Sequence, residues 1–124
     1  MPETPVVLLV SRDLFFASQI SGPAQTLGLR VDVAHDAEQA AARMREGGLH
    51  GVLINLTLPG LNVADLLAAI PDGADRPRVV AFGPHVQTAR LDAARQAGCD
   101  EVLPRSRFSA ELPAILARIL EEAN

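Results

Sequence analysis

Short apolar runs alternate with helix-length segments along this whole chain, and that rhythm leaves few folds open to it. Val6 to Val10 is continuously apolar, as in a strand buried on both faces. A helical stretch from about Asp13 to Leu27 follows and stops before Gly28, a good helix terminator. Arg30 to Ala34 alternates and predicts an outer strand. Asp36, with Gln39 three residues on, opens a helix to about Glu46, which Gly47-Gly48 ends. Gly51 to Asn55 is a third strand, and Pro59-Gly60 marks the turn beyond it. A short helix is expected from about Val63 to Ile70, then a polar loop from Pro71 to Pro77. Arg78 to Phe82 is a fourth strand, and a helix from about Val86 to Ala97 ends at Gly98. Glu101 to Leu103 is a short fifth strand. Ser109 is the expected cap of a last helix, whose apolar stripe is Leu112, Ile115, Leu116, Ile119 and Leu120.

Five strand–helix units with short links predict an α/β fold, a doubly wound parallel sheet with helices on both faces. Right-handed crossovers favour the flavodoxin-like strand order 2-1-3-4-5. The whole chain, 1–124, is read as a single domain. At this length folding hides roughly two-thirds of the unfolded surface, so the core needs no metal or disulfide. A composition of 48% hydrophobic and 21% charged residues is ordinary for a globular domain. The net charge of −4 argues against nucleic acid as a direct partner, because phosphate binding wants a basic face. The lone cysteine, Cys99, forms no internal disulfide and is read as a small buried residue. The first residues lack the basic start and apolar run of a signal peptide, and no stretch matches a membrane span. A cytoplasmic protein is therefore expected.

In a sheet of this order ligands sit at the carboxyl ends of the strands, by the switch between strands 1 and 3. That places Ser11, Arg12, Asn55, Gly83 and Arg105 around one crevice. The strand Val6 to Val10, the segment Leu53-Ile54-Asn55-Leu56-Thr57-Leu58-Pro59-Gly60, the strand Val79-Val80-Ala81-Phe82 and the stretch Ala97-Gly98-Cys99-Asp100-Glu101-Val102-Leu103-Pro104-Arg105 together resemble the receiver domain of bacterial response regulators. The resemblance covers essentially the whole chain.

The resemblance implies a phospho-accepting aspartate at the end of the third strand. Here that position is Asn55, a neutral amide that forms no acyl phosphate. It also implies an acidic pair after the first strand that holds Mg²⁺. Those positions are Ser11 and Arg12, and a hard cation wants carboxylate oxygen. Asp13, one residue on, is read as serving the first helical turn instead. The hydroxyl residue after the fourth strand is matched by Gly83. The switch aromatic of the fifth strand is matched by Val102. The lysine after that strand is matched by Arg105, which keeps the charge but not the compact ammonium. All 11 basic residues are arginine, so this last change follows a bias of the whole chain. Arg105-Ser106 replaces Lys-Pro, and without proline a cis bond costs about 2.5–4 kcal/mol.

The chain is accordingly identified as resembling a degenerate or pseudo-receiver, with no catalytic residue, metal or cofactor expected. The expected role is a non-catalytic, phosphorylation-independent signalling module in or derived from a two-component phosphorelay pathway. It would act on a protein partner (a kinase, phosphotransfer or output protein) or on itself through the face of helix 4, strand 5 and helix 5. That face carries Arg90, Arg95, Asp100, Glu101, Arg118 and Glu121, which suit either pairing across a two-fold axis or a solvated surface. Leu14 and Phe15 are expected to point outward at the crevice rim as a partner surface, while Phe16, Ile20, Ala24 and Leu27 pack on the sheet. Gly22-Pro23 is expected to kink or split that helix. The alternative function is a small-molecule or anion sensor built on the vacated crevice, with Arg12 and Arg105 as the anion-binding pair. Against that pairing, Arg12 would meet a nearby acid and Arg105 would lie in solvent. His35, His50 and His85 share no metal-like spacing, and no nucleophile–base pair supports a catalytic domain.

Overall fold

The computed structural model describes residues 4–71 and 76–123; the middle of the expected loop from Pro71 to Pro77, and the first three residues, lie outside them. The strands are β1 (Val6–Val10), β2 (Arg30–Ala34), β3 (Gly51–Asn55), β4 (Arg78–Gly83) and β5 (Glu101–Pro104). Between and after them run α1 (Leu14–Thr26), α2 (Ala37–Glu46), α3 (Val63–Ala68), α4 (Thr88–Ala97) and α5 (Arg105–Ala123). All pairings are parallel and the order is β2-β1-β3-β4-β5, as the alternating pattern predicts.

The central strands are buried because each feeds two cores in alternation, the period of two that a pleated strand imposes. Leu8, Val10, Val52, Ile54, Val79 and Ala81 point to the layer containing α2, α3 and α4. Val7, Leu9, Leu53, Val80 and Phe82 point to the layer of α1 and α5. β2 lies at an edge and is only half covered, with Val33 exposed. Asp32 on this strand is held below the usual carboxylate range, chiefly by its hydrogen bond from Arg30 and further by Arg43, against the opposing effect of burial.

Helix ends follow local chemistry. The Asp13 carboxylate caps α1 by accepting from the Phe15 amide at 2.9 Å. Asp36 caps α2 by accepting from the Gln39 amide at 2.7 Å, and the Gln39 carboxamide reaches back to the His35 amide at 2.9 Å. This is a capping box displaced by one residue. Two helix boundaries and one expected break differ from expectation. α3 stops at Ala68 rather than Ile70, and α4 starts at Thr88 rather than Val86, leaving the Val86 side chain exposed. Pro23 sits inside a continuous α1, which is not split; buried Ile20 and Ala24 fasten the turns on either side.

The largest correction concerns α5. It begins at Arg105, directly after β5, and Ser109 lies within it rather than capping it. The reason is tertiary. Phe108 is fully buried and stacks on Phe82 with ring centroids 4.0 Å apart and planes 12° apart. Starting the helix a turn early puts Phe108 on the same stripe as Leu112 and Ile115, and burying a phenylalanine outweighs a cap worth about 1 kcal/mol.

Cys99 is half-buried rather than fully buried, and burial with neighbouring Asp100 pushes its thiol up to about 11. Only the thiolate attacks an alkylating reagent. Iodoacetamide at pH 8 is therefore expected to modify native Cys99 about a hundredfold more slowly than the denatured chain; equal rates would contradict the burial seen here.

Candidate functional site

The crevice at the carboxyl ends of β1 and β3 is built from side chains that close on one another. Ser11 follows β1, and its amide donates to the Ala34 carbonyl at 3.0 Å, which extends the sheet by one residue. Its Oγ accepts from Asn55 Nδ2 at 3.2 Å and from the Asp13 amide at 3.0 Å. Asn55 ends β3 beside Phe82 of β4. Its Oδ1 accepts from the Thr57 amide at 3.1 Å and from Thr57 Oγ1 at 2.7 Å, an Asx turn. Ser11 and Asn55 are 1% and 3% exposed, so nearly all of this polarity is withdrawn from water and satisfied inside the chain.

The network is neutral. The nearest carboxylate in sequence, Asp13, is committed to the α1 amides as its cap. The donor set does not fit Mg²⁺, which takes octahedral oxygen and usually one or two carboxylates. Both lone pairs of Asn55 Oδ1 are in use, and Ser11 Oγ already accepts twice. Among the described residues no three His, Cys, Asp or Glu side chains gather to hold a metal. His50 is structural: its Nδ1 accepts from the Val6 amide at 3.1 Å.

The two arginines go separate ways. Arg12 is exposed, and its Nε donates to the His35 carbonyl at 3.1 Å. It meets a carbonyl, not the acid that was the plainer expectation. Arg105 does not lie in open solvent. Its guanidinium sits 5.0 Å above the Phe16 ring, and its buried Nε has no hydrogen-bond partner. Leu14 and Phe15 project outward at 73% and 70% exposure, as the helical spacing predicts. Phe15 meets Phe16 edge-on, so all four phenylalanines of the chain form one connected cluster, three of them buried.

Two residues of the site were not anticipated. Leu56 turns inward after β3, and its Cβ stands 3.3 Å from where a Gly83 side chain would begin. Any hydroxyl-bearing side chain at Gly83 would press on Leu56. Arg90 of α4 donates from Nη1 to the Leu56 carbonyl at 2.9 Å and ties the β3–α3 loop to α4. An apolar residue directly after a strand-ending Asn was the available sign for Leu56; nothing in the sequence joins Arg90 to that loop. Val102 is half-buried against the α2–α4 layer. Along the face of α4, β5 and α5 most charges are satisfied within the chain. Arg95 pairs with Asp92, Glu101 with Arg78 and Arg118, and Asp100 accepts from the Val79 amide.

This arrangement of strands and helices is the fold of response-regulator receiver domains. Similar solved structures include the receiver domain of a sensor histidine kinase from Pseudomonas aeruginosa PAO1 with a magnesium ion coordinated in its active-site cleft. That domain is 23% identical with a TM-score of 0.78, covering 96% of this chain and 99% of the other. The BeF3-activated DrrB receiver domain is 20% identical with a TM-score of 0.77, over 96% and 99% of the two chains. The chemotaxis response regulator CheY4 of Vibrio cholerae is 15% identical with a TM-score of 0.76, over 94% and 99%. No protein-family profile and no curated protein sequence matches the chain. Among the described residues no helix is long and apolar enough to cross a membrane.

Proposed function

We propose that this domain is a non-catalytic, phosphorylation-independent signalling module that works through protein–protein contact in or alongside a two-component pathway. The observation that carries this reading is the closed, uncharged network of Ser11, Asn55 and Thr57 where a receiver with the usual acidic residues would hold Mg²⁺ and accept phosphate. Leu56 packed over Gly83 supports it, since a side chain at Gly83 would start 3.3 Å from Leu56 Cβ and would have to push it aside. The best-supported contact surface is the α1 end with Leu14 and Phe15, whose apolar area has no cover. The α4–β5–α5 face has weaker support, because most of its charges are engaged internally.

Amide NMR spectra recorded with Mg²⁺ and beryllofluoride, separately and together, test the reading. The expected result is no saturable shift at Ser11, Asn55 or Gly83, together with no acyl phosphate after exposure to acetyl phosphate. Saturable shifts with Mg²⁺ at those residues would overturn it. The alternative, an anion sensor, rests on Arg105, whose buried Nε lacks a partner and whose guanidinium makes no ion pair among the described residues. Shifts at Arg105 with beryllofluoride alone would favour that alternative.

A further inference from the structure

We infer that the cleft between the β3–α3 loop and α4 is a binding site for a small amphipathic carboxylate, an apolar tail ending in a single negative group. The cleft holds about 470 Å³, within the range of small-molecule sites. Leu56, Leu58, Leu61 and Val63 line it from the loop and α3, and Ala93 and Arg90 line it from α4. The walls are mixed, with these aliphatic side chains beside Asn62 and the Pro59-Gly60 turn, and Arg90 is the cation among the lining residues. Among the described residues the Arg90 guanidinium forms no ion pair, and its only hydrogen bond is the one from Nη1 to the Leu56 carbonyl. A guanidinium has five N–H donors in a planar fork suited to a carboxylate. Four of them remain for a ligand, beside an apolar hollow that would take a tail. The cleft borders the Ser11–Asn55 crevice and shares Leu56 and Arg90 with its rim, but neither Ser11 nor Asn55 lines it, and the inference goes beyond the proposed function. A carboxylate on Arg90 would use the donors that the Leu56 carbonyl leaves free, so the ligand and the tie between α4 and the loop that follows Asn55 can coexist.

Octanoate serves as the probe, with octanol as the uncharged control, and both are titrated against the protein by amide NMR. Octanoate is expected to give saturable shifts at Leu61, Val63 and Ala93. Octanol is expected to bind about tenfold more weakly, and Arg90→Gln to weaken octanoate about tenfold while leaving octanol unchanged. Ala93→Phe, which fills the cleft, is expected to abolish both. Both substituted positions are exposed, so thermal midpoints check that the variants fold. Three results would overturn the inference: no saturable shift, equal binding of octanol and octanoate, or octanoate binding that ignores Arg90→Gln. Concentration-dependent shifts at these residues in the ligand-free protein would assign the cleft to a second copy of the chain and overturn it too.

Discussion

Phe108→Ala is expected to lower the unfolding free energy by about 3–5 kcal/mol, the usual range for emptying an aromatic from a core. The ring is fully buried, stacks on Phe82 at 4.0 Å, and stands 6.3 Å edge-on from Phe16. Such contacts add about 0.5–1.5 kcal/mol to area burial alone. For a domain whose total stability is about 5–15 kcal/mol, the loss is a large fraction. At roughly 3–5 °C per kcal/mol for a chain of this size, the melting midpoint should drop by about 10–20 °C. Phe108→Leu, which keeps much of the volume, should lose well under half as much. The experiment also tests where α5 begins. If the helix started at Ser109, Phe108 would sit in a loop, and its removal would cost about 1 kcal/mol or less.

Gly51→Ala is expected to destabilise by about 1–3 kcal/mol through overpacking. A Cβ at Gly51 would stand 2.6 Å from Ile119 Cδ1 and 3.0 Å from both its Cγ atoms. Ile119 is completely buried and cannot swing into solvent. The glycine backbone is ordinary for a strand, so alanine would gain about 0.4–1 kcal/mol by restricting the unfolded chain; the clash exceeds that gain. Ile119→Val removes the Cδ1 methyl and by itself should cost about 0.5–1.5 kcal/mol. Chemical denaturation of the two single variants and the double variant gives the coupling. The double variant should be more stable than the sum of the singles by about 1 kcal/mol. Additivity within about 0.5 kcal/mol would mean that α5 does not rest on Gly51 as the structure shows.

The contact explains why a glycine opens the central strand. Ile119 of α5 packs on the first residue of β3, and the absent side chain lets it touch the backbone. Close approach, rather than a positive φ, is the role of this glycine. The same economy shapes the carboxyl end of the sheet. Gly83 leaves space, and Leu56 fills it from the neighbouring strand's loop. The crevice is narrowed by a hydrocarbon side chain and closed by an amide network, and neither contributes charge.

The strands and their order were legible because parallel strands buried on both faces read as apolar runs, and because glycines and caps separate the helices. Asp13, Asp36 and the glycines after α2 and α4 act locally, within a few residues of where they stand, so their effects could be read without knowing the fold. Asn55, Ser11 and Gly83 could be placed at the crevice for a related reason: each directly follows or ends a strand, and strand order then decides which ends are neighbours.

The rest depended on contacts between residues far apart in sequence. The start of α5 was set by Phe108 finding Phe82 rather than by the local cap at Ser109. Arg105 lies on Phe16, and Arg90 holds Leu56, because α5 meets α1 and α4 meets the β3–α3 loop only in the folded chain. Sequence alone determined which chemical groups stand at the head of the sheet, since side-chain identity and strand position are local properties. Tertiary structure alone decided what those groups bind to, since hydrogen bonds and ring contacts depend on packing geometry that no local pattern encodes.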